Sequence, residues 1–476
     1  MKNPAFVSNR NACKLCAPLG ACLALRGIEG CIPLIHGSQG CSTYIRRYGI
    51  SHFREPIDIA SSNFTESAAI FGGMENLFTA LDNVSRSYRP QAIGVTSTCL
   101  SETMGEDLGR YLRQYETERI AGRRNTAGLS PAVFYAATPS YRGTHMDGFH
   151  EAIKAAVSAI AGEGAAADTQ AAAGEKRLNV ISGFVSAEDL RELHGILGAF
   201  GIPYTLLPDY SESLDGGTWE SYQKLPGGGT AIEDIKKMGA AGETLYLGKA
   251  VSPDQNAGLW LEKNCGVPLN QIDLPVGIKK TDLFFEALSR ISGRELPGQF
   301  VKQRNRVIDA YIDGHKYCGG KRVILYGEED FVIALASFLD EIGMVPVIAA
   351  TGAPDTKPPA GDAAATGNAG FRERMTEALV NTRREIEILE DTDFVTILEK
   401  ARHLDCDLVM GHSKGLYLSR ELGIPLARCG FPIHDRIGGQ RILHLGYRGA
   451  LNLFDLLCNT LMQAKQDTVS KGYTYI

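Results

Sequence analysis

The sequence predicts an α/β protein in which parallel sheets flanked by helices recur three times along the chain. Three observations point that way. Short, β-branched-rich apolar runs alternate with helix-length amphipathic stretches, the 476 residues are too many for one core, and the runs form three successive groups. Runs bounded by Gly, Pro or polar residues read as strands at 31–37, 91–98, 132–138, 178–184 and 203–209. Further strands follow at 244–249, 322–327, 345–351, 406–412 and 424–430. Between them, 187–201 and 329–343 read as helices; in the second, apolar residues recur three and four apart, which builds one buried face. Strand–helix alternation implies parallel strands, right-handed crossovers and ligands held by loops at the carboxyl ends of the strands. The expected architecture is three Rossmann-like domains at 1–174, 175–300 and 301–476. The low-complexity stretch 162–177 reads as the linker at the first boundary, RELPGQF marks the second, and 352–370 reads as an exposed loop inside the last domain.

Composition removes several classes of function. Apolar residues make up 44% of the chain, so it is not a disordered polymer. Lys and Arg number 49 against 55 Asp and Glu, a balance that gives no nucleic-acid groove and no attraction to an anionic membrane. No apolar stretch reaches the roughly 18 residues of a membrane span. The first residues, MKNPAFVSNRNACKLC, lack the basic head and apolar core of a signal peptide. Eleven cysteines without such a signal suggest a reducing, cytoplasmic setting, where thiols serve as metal ligands or small buried hydrophobes rather than disulfides. No GxxxxGK[ST], strand-following GxGxxG or HExxH occurs, so any ATP that drives this protein is hydrolysed elsewhere.

Six of the eleven cysteines lie within the first 99 residues: Cys13, Cys16, Cys22, Cys31, Cys41 and Cys99. Cys16 opens CAPLGA, Cys41 closes HGSQGC and Cys99 ends AIGVTSTC. Thiolates suit iron–sulfur clusters, and small neighbours such as Gly20, Gly37, Gly40 and Gly94 would let backbone approach a bulky inorganic core. Ser140, in TPSY, adds a hydroxyl to the candidate set, although a serine after proline is ordinarily a helix cap. Cys13 and Cys16 form a lone CxxC, weak evidence for zinc or for a thioredoxin-type redox pair. Cys22, Cys265, Cys318, Cys406, Cys429 and Cys458 read as small hydrophobes. His36 reads as a hydrogen-bonded structural group, and Arg46–Arg47 with Tyr44 and Tyr48 as a packed or salt-bridged helix face rather than an RNA contact.

The run CAPLGACLALRGIEGCIPLIHGSQGCSTYIRRYGISHFREP, followed by AAIFGG, TSTCLSETMGEDL and TPSYRG, resembles the β-type subunit of nitrogenase component 1. The likeness extends to LLPDYSESLDG, LGIPLARCGFPIHDRIGGQR and GYRG. It implies that Cys16, Cys41 and Cys99 hold half of a P-cluster, [8Fe-7S], shared with an α-type partner in an α2β2 heterotetramer. Ser140 would join as a ligand on oxidation, since alkoxide oxygen suits oxidised iron better than reduced iron. Phe71 would lie where a homodimeric, ATP-hydrolysing Fe protein docks. Arg54 and Glu55 match a segment that helps hold a lone cation between β subunits, without the acidic partners for it.

The resemblance implies an oxidoreductase subunit with no catalytic residue of its own, passing electrons to a large iron–sulfur cofactor in its partner. The substrate would be a thioether, as in a nitrogenase-like methylthio-alkane reductase, or dinitrogen, as in nitrogen fixation. The middle and C-terminal stretches look most like NifN, the β-like half of the cofactor-assembly scaffold, which leaves a second reading open: a scaffold with a [4Fe-4S] cluster. A cluster-free α/β binding module is the third.

Overall fold

The computed structural model describes residues 12–164, 177–354, 370–382 and 385–469. Most of the expected linker (165–176), with the boundary at 174, and most of the expected loop (355–369) lie outside those residues. The strands form three sheets in which every pairing is parallel, with helices between successive strands. This is the Rossmann-like α/β fold expected. The chain divides into two compact units, Cys16–Ile272 and a second made of Met1–Leu15 with Asp273–Ile476.

The first unit holds two sheets. One has the order β2-β1-β3-β4, with β1 Cys31–His36, β2 Ala60–Ser61, β3 Ala92–Ser97 and β4 Ala132–Ala136. Its central strands β1 and β3 are buried at every position, which is why both read as unbroken apolar runs. Ile32, Leu34, Ile93 and Val95 pack on Leu77, Phe78 and Leu81 of helix Met74–Tyr88. The alternate face meets helix Ala17–Arg26, whose Leu25 lies over Gly94 of β3. The second sheet has the order β6-β5-β7-β8, with β5 Leu178–Ile181, β6 Tyr204–Leu207, β7 Glu243–Leu247 and β8 Leu269–Ile272. Helix His145–Gly164 packs on helix Ala17–Arg26 and β4, and also on helices Ile232–Lys237 and Ala257–Cys265. One helix therefore serves both sheets.

The second unit is built on a sheet of order β11-β10-β9-β12-β13, with β9 Arg322–Gly327, β10 Val345–Thr351, β11 Glu387–Leu389, β12 Leu408–Gly411 and β13 Leu426–Arg428. Helix Glu329–Glu341 corrects the expectation of a single apolar face: every residue from Asp330 to Asp340 is buried. It lies among β9, β10 and helices Gly277–Ser292 and Phe371–Ala378, so no side faces water. Its buried carboxylates are matched, Asp330 by Arg374 at 2.6 Å and Asp340 by the Asn381 amide and the Thr382 hydroxyl.

The sequence pattern misses β2, β8 and β11. Each is the outermost strand of its sheet, at most four residues long and mainly half-buried or exposed, so none carries an apolar run. Among the described residues no helix is long and apolar enough to cross a membrane.

Candidate metal centre

Parallel strands deliver their following loops to one edge of a sheet, and the first sheet uses that edge to gather sulfur. Beyond β1, Gly37 and Ser38 lead into helix Gln39–Phe53, with Cys41 in its first turn. Beyond β3, Thr98 caps the one-turn helix Cys99–Thr103, its hydroxyl accepting the Ser101 amide while the Ser101 hydroxyl accepts the Thr98 amide. Beyond β4 comes Ser140. Helix Ala17–Arg26, which runs back toward β1, starts at the same edge with Cys16 as its N-cap. All three thiols thus sit at the starts of helices that follow the strands or run back toward them.

Short polar contacts fix the loops to one another. The Thr98 hydroxyl donates to the His36 carbonyl (3.1 Å) and the Thr138 hydroxyl to the Ser97 carbonyl (2.7 Å), tying the ends of β1, β3 and β4. The Ser140 amide donates to Cys99 Sγ at 3.3 Å, and the Ser140 hydroxyl accepts the Ala17 amide at 3.2 Å. Ser140 is therefore a cap, as serine after proline often is, but for a helix more than a hundred residues earlier in the chain, and it stands between the Cys16 and Cys99 turns. The Ser38 hydroxyl lies 3.9 Å from Cys41 Sγ.

Of the eleven cysteines only Cys41 and Cys99 are exposed; Cys16 is half-buried. Burial pushes the Cys16 thiol above its usual range, and negative charge on Cys41 and Cys99 pushes the same way. Three sulfurs that repel one another as thiolates suit a cationic body between them. Among the described residues no three Cys, His, Asp or Glu side chains converge closely enough to hold one metal ion. The donor set fits an extended iron–sulfur core, with thiols spread along one edge, better than a point ion.

The glycines act differently from expectation. A Cβ on Gly20 would lie 1.6 Å from the His145 carbonyl oxygen, and one on Gly148 would lie 1.8 Å from the Ala17 carbonyl oxygen. These two residues let helices Ala17–Arg26 and His145–Gly164 touch backbone to backbone, and so set the height of Cys16. Gly37 clears the Thr98 side chain and Gly94 clears Leu25; only Gly40 looks onto comparatively open space. Three of the four glycines near the thiols in sequence therefore pack protein against protein.

The lone CxxC is not a site. Cys13 belongs to the second unit, buried with Tyr326 and Phe394, and burial raises its thiol to about 12, whereas Cys16 begins the first unit. Cys22, Cys318, Cys429 and Cys458 are buried as small hydrophobes, while Cys265 and Cys406 are half-buried. His36 has a structural place: its ring is fully buried between Ser62 Oγ (3.1 Å) and Glu106 Oε2 (3.3 Å), edge-on to Phe64. Arg46 donates to the Ile57 carbonyl and lies 3.8 Å from Asp58, and Tyr44 and Tyr48 bond to each other on a largely exposed helix face. Arg54 ends helix Gln39–Phe53 in a left-handed conformation beside Glu55.

Phe71 closes the short helix Glu66–Phe71 with 84% of its surface exposed, next to Ile70 at 75%. Glu106 holds this turn, accepting the Gly73 amide at 2.9 Å through one oxygen while the other meets His36 at the end of β1. Sequence reasoning misses Glu106, because an acid in a loop carries no spacing signal.

A family model described as nitrogenase component 1 type oxidoreductase matches residues 16–462. The chain belongs to that family. Within the nitrogenase component 1 family it is a β-type subunit. The nitrogenase molybdenum-iron protein beta chain of Clostridium pasteurianum is 37% identical over 456 residues, covering 95% of this chain and 93% of that one. The corresponding beta chain of Methanothermobacter marburgensis is 33% identical over 461 residues, covering 94% and 93%. A solved chain of nitrogenase Cp1 at pH 6.5 superposes with a TM-score of 0.90 at 35% identity, covering 100% of this chain and 98% of that one. The nitrogenase-type fold therefore spans both units.

Proposed function

We propose that this chain is the electron-relay subunit of a nitrogenase-type reductase, in which Cys16, Cys41 and Cys99 hold its half of a P-cluster shared with an α-type partner. One observation carries the reading: three thiols from three separate loops stand along one sheet edge at the starts of helices, and two of them are exposed, as ligands awaiting a second subunit must be. When bound, an [8Fe-7S] core supplies one-electron storage between donor and acceptor. This chain's residues set the environment in which that happens. The Ser140 amide donates a hydrogen bond to Cys99 Sγ, and the Ser140 hydroxyl, beside the Cys16 turn, is the oxygen available to oxidised iron. Substrate reduction belongs to a cofactor in the partner, with dinitrogen or a thioether as the molecule reduced. The relatives named as beta chains, together with the complete thiol set, favour a reductase over the NifN-like scaffold.

Iron counting on the purified heteromer, with EPR, tests this. Eight irons per pair of unlike subunits at this site are expected; four would replace the reductase by the scaffold with its [4Fe-4S] cluster, and none would end both readings.

The exposed Ile70–Phe71 pair is the docking point for the ATP-hydrolysing Fe protein. Ile70 and Phe71 stand side by side at the end of one short helix, which makes a contiguous exposed apolar point for a partner to cover. Phe71→Ala is expected to slow reduction by the Fe protein roughly tenfold, the effect of losing one aromatic anchor, with iron content unchanged. Stopped-flow reduction kinetics measure it, and an unaltered rate removes the assignment.

A further inference from the structure

Two buried cysteines of the second unit face each other. Helix Gly298–Cys318 ends on one of them, and helix Gly446–Asp467, which packs along it, carries the other, Cys458. Gly314 permits the close approach: a Cβ there would lie 2.5 Å from the Phe454 ring and 3.3 Å from Cys458 Sγ. The rings of Tyr311 and Phe454, 4.9 Å apart, hold the two helices at that spacing one turn earlier. Cys458 Sγ lies 3.9 Å from the Gly314 carbonyl, and Cys318 Sγ lies 3.8 Å from the His315 carbonyl. Both sulfurs thus rest against one turn of one helix, and their thiols hydrogen-bond to each other.

That shared bond changes the acid chemistry of the pair. Whichever sulfur keeps its proton donates to the one that has lost it, so the first thiolate forms more easily, and the second less easily, than in a lone buried cysteine. The bond to Cys458 draws the Cys318 thiol below its usual range against the effect of burial, while the Cys458 thiol is pushed up. By contrast, burial pushes the Cys13 and Cys429 thiols of the same unit up. Access is narrow. Cys318 is fully buried and Cys458 is 7% exposed, which keeps out any oxidant as large as a peptide disulfide. A cavity of about 450 Å³ reaches toward the pair, lined by Tyr317, the neighbour of Cys318, and by Leu461 and Met462, one turn beyond Cys458. Lys316 and Lys465 also line it and favour negative charge there.

We propose that Cys318 and Cys458 form a peroxide-responsive dithiol, which hydrogen peroxide converts into a reversible disulfide stapling helix Gly298–Cys318 to helix Gly446–Asp467. One thiolate of the pair attacks peroxide; the O–O bond breaks, hydroxide leaves, and the sulfur becomes a sulfenic acid. The second thiol then displaces the sulfenic oxygen as water and the Sγ–Sγ bond forms. Two thiols and one peroxide give one disulfide and two waters; the sulfurs lose two electrons, and the peroxide oxygens gain them. A transient, signalling disulfide of this kind is compatible with a reducing setting. Both cysteines belong to the second unit, so their oxidation does not require that Cys16, Cys41 and Cys99 hold iron.

The test treats the purified heteromer with dilute hydrogen peroxide and an iron chelator, blocks the remaining thiols and maps the peptides without reduction. The expected product is a Cys318–Cys458 linked peptide about 2 Da lighter than its two thiol peptides together, formed at least roughly tenfold faster than any oxidation of Cys22 or Cys429 and lost on treatment with dithiothreitol. In Cys458→Ser and in Cys318→Ser the linked peptide is expected to vanish, and the remaining sulfur, with no partner to condense with, takes up dimedone as its sulfenic acid. A pair that stays reduced overturns the proposal. So does oxidation no faster than that of Cys22 and Cys429, which would report opening of the whole protein, and so does passage of either sulfur to sulfinic acid in the wild type without a linked peptide. The wild-type chain supplies the deciding measurement, so the result stands even if a variant fails to assemble.

Discussion

Replacing Cys41 with alanine is expected to remove most of the iron held at the first sheet's edge and to weaken association with the α-type partner, while the chain itself stays folded. The fold tolerates the change because Cys41 is exposed and packs no core. The iron does not tolerate it, because a thiolate is replaced by a methyl that offers no electron pair. Iron at this site should fall roughly tenfold, since binding at a multi-thiolate centre depends on the full ligand set. Partner affinity should fall with it, because a shared core acts as a cross-link only while both sides hold it. Cys22→Ala is the matched control: it removes a buried sulfur from helix Ala17–Arg26 at a cost of about 1–2 kcal/mol in stability, with iron retained. Iron analysis and analytical ultracentrifugation of both variants decide the matter. Equal iron in the two would mean that the exposed thiols are not ligands.

Gly20→Ala is expected to produce the largest loss of stability from the smallest chemical change. A methyl here meets the His145 carbonyl oxygen at 1.6 Å, and that oxygen is backbone, so it cannot swing aside like a flexible side chain. The two helices must separate by more than an ångström, which opens the packing on both sides of the contact. A cost of about 3 kcal/mol follows from overpacking of this severity. In a unit of this size that lowers the melting temperature by roughly 6–12 °C. Because helix Ala17–Arg26 begins at Cys16, the same shift moves the thiol and should reduce iron content. Gly198→Ala, inside helix Ala187–Phe200 with nothing within contact distance, is the control and should keep or slightly raise the melting temperature and leave iron unaltered. A Gly20→Ala variant with wild-type melting would show that the helices can part without cost.

The sequence discloses the candidate thiols better than the architecture that supports them. Thiols in glycine-rich turns announce themselves because few residue types perform that chemistry, and Cys16, Cys41, Cys99 and Ser140 do share one sheet edge. Central strands are legible for a related reason: burial on both faces forces a continuous apolar run, as in β1 and β3. Edge strands β2, β8 and β11 have no such constraint and leave no pattern. The all-round burial of helix Glu329–Glu341 is hidden by its charged residues, which meet partners distant in sequence, such as Arg374. The same holds for Glu106, Thr98 and Thr138, which orient the site through contacts that no local spacing reveals. The glycines mislead in an instructive way: their smallness is needed, but mostly by neighbouring protein.

The helix His145–Gly164, shared by the two sheets of the first unit, has a consequence for how that unit comes apart. A layer that two cores both need cannot be surrendered by one of them alone. Loosening either sheet strips the apolar cover from the other, so the free energies of opening are joined and the whole stretch melts as one cooperative block. Thermal fluctuation cannot unzip the sulfur-bearing edge piecemeal, so the spacing of Cys16, Cys41 and Cys99 is held by the stability of the whole stretch rather than by any one loop.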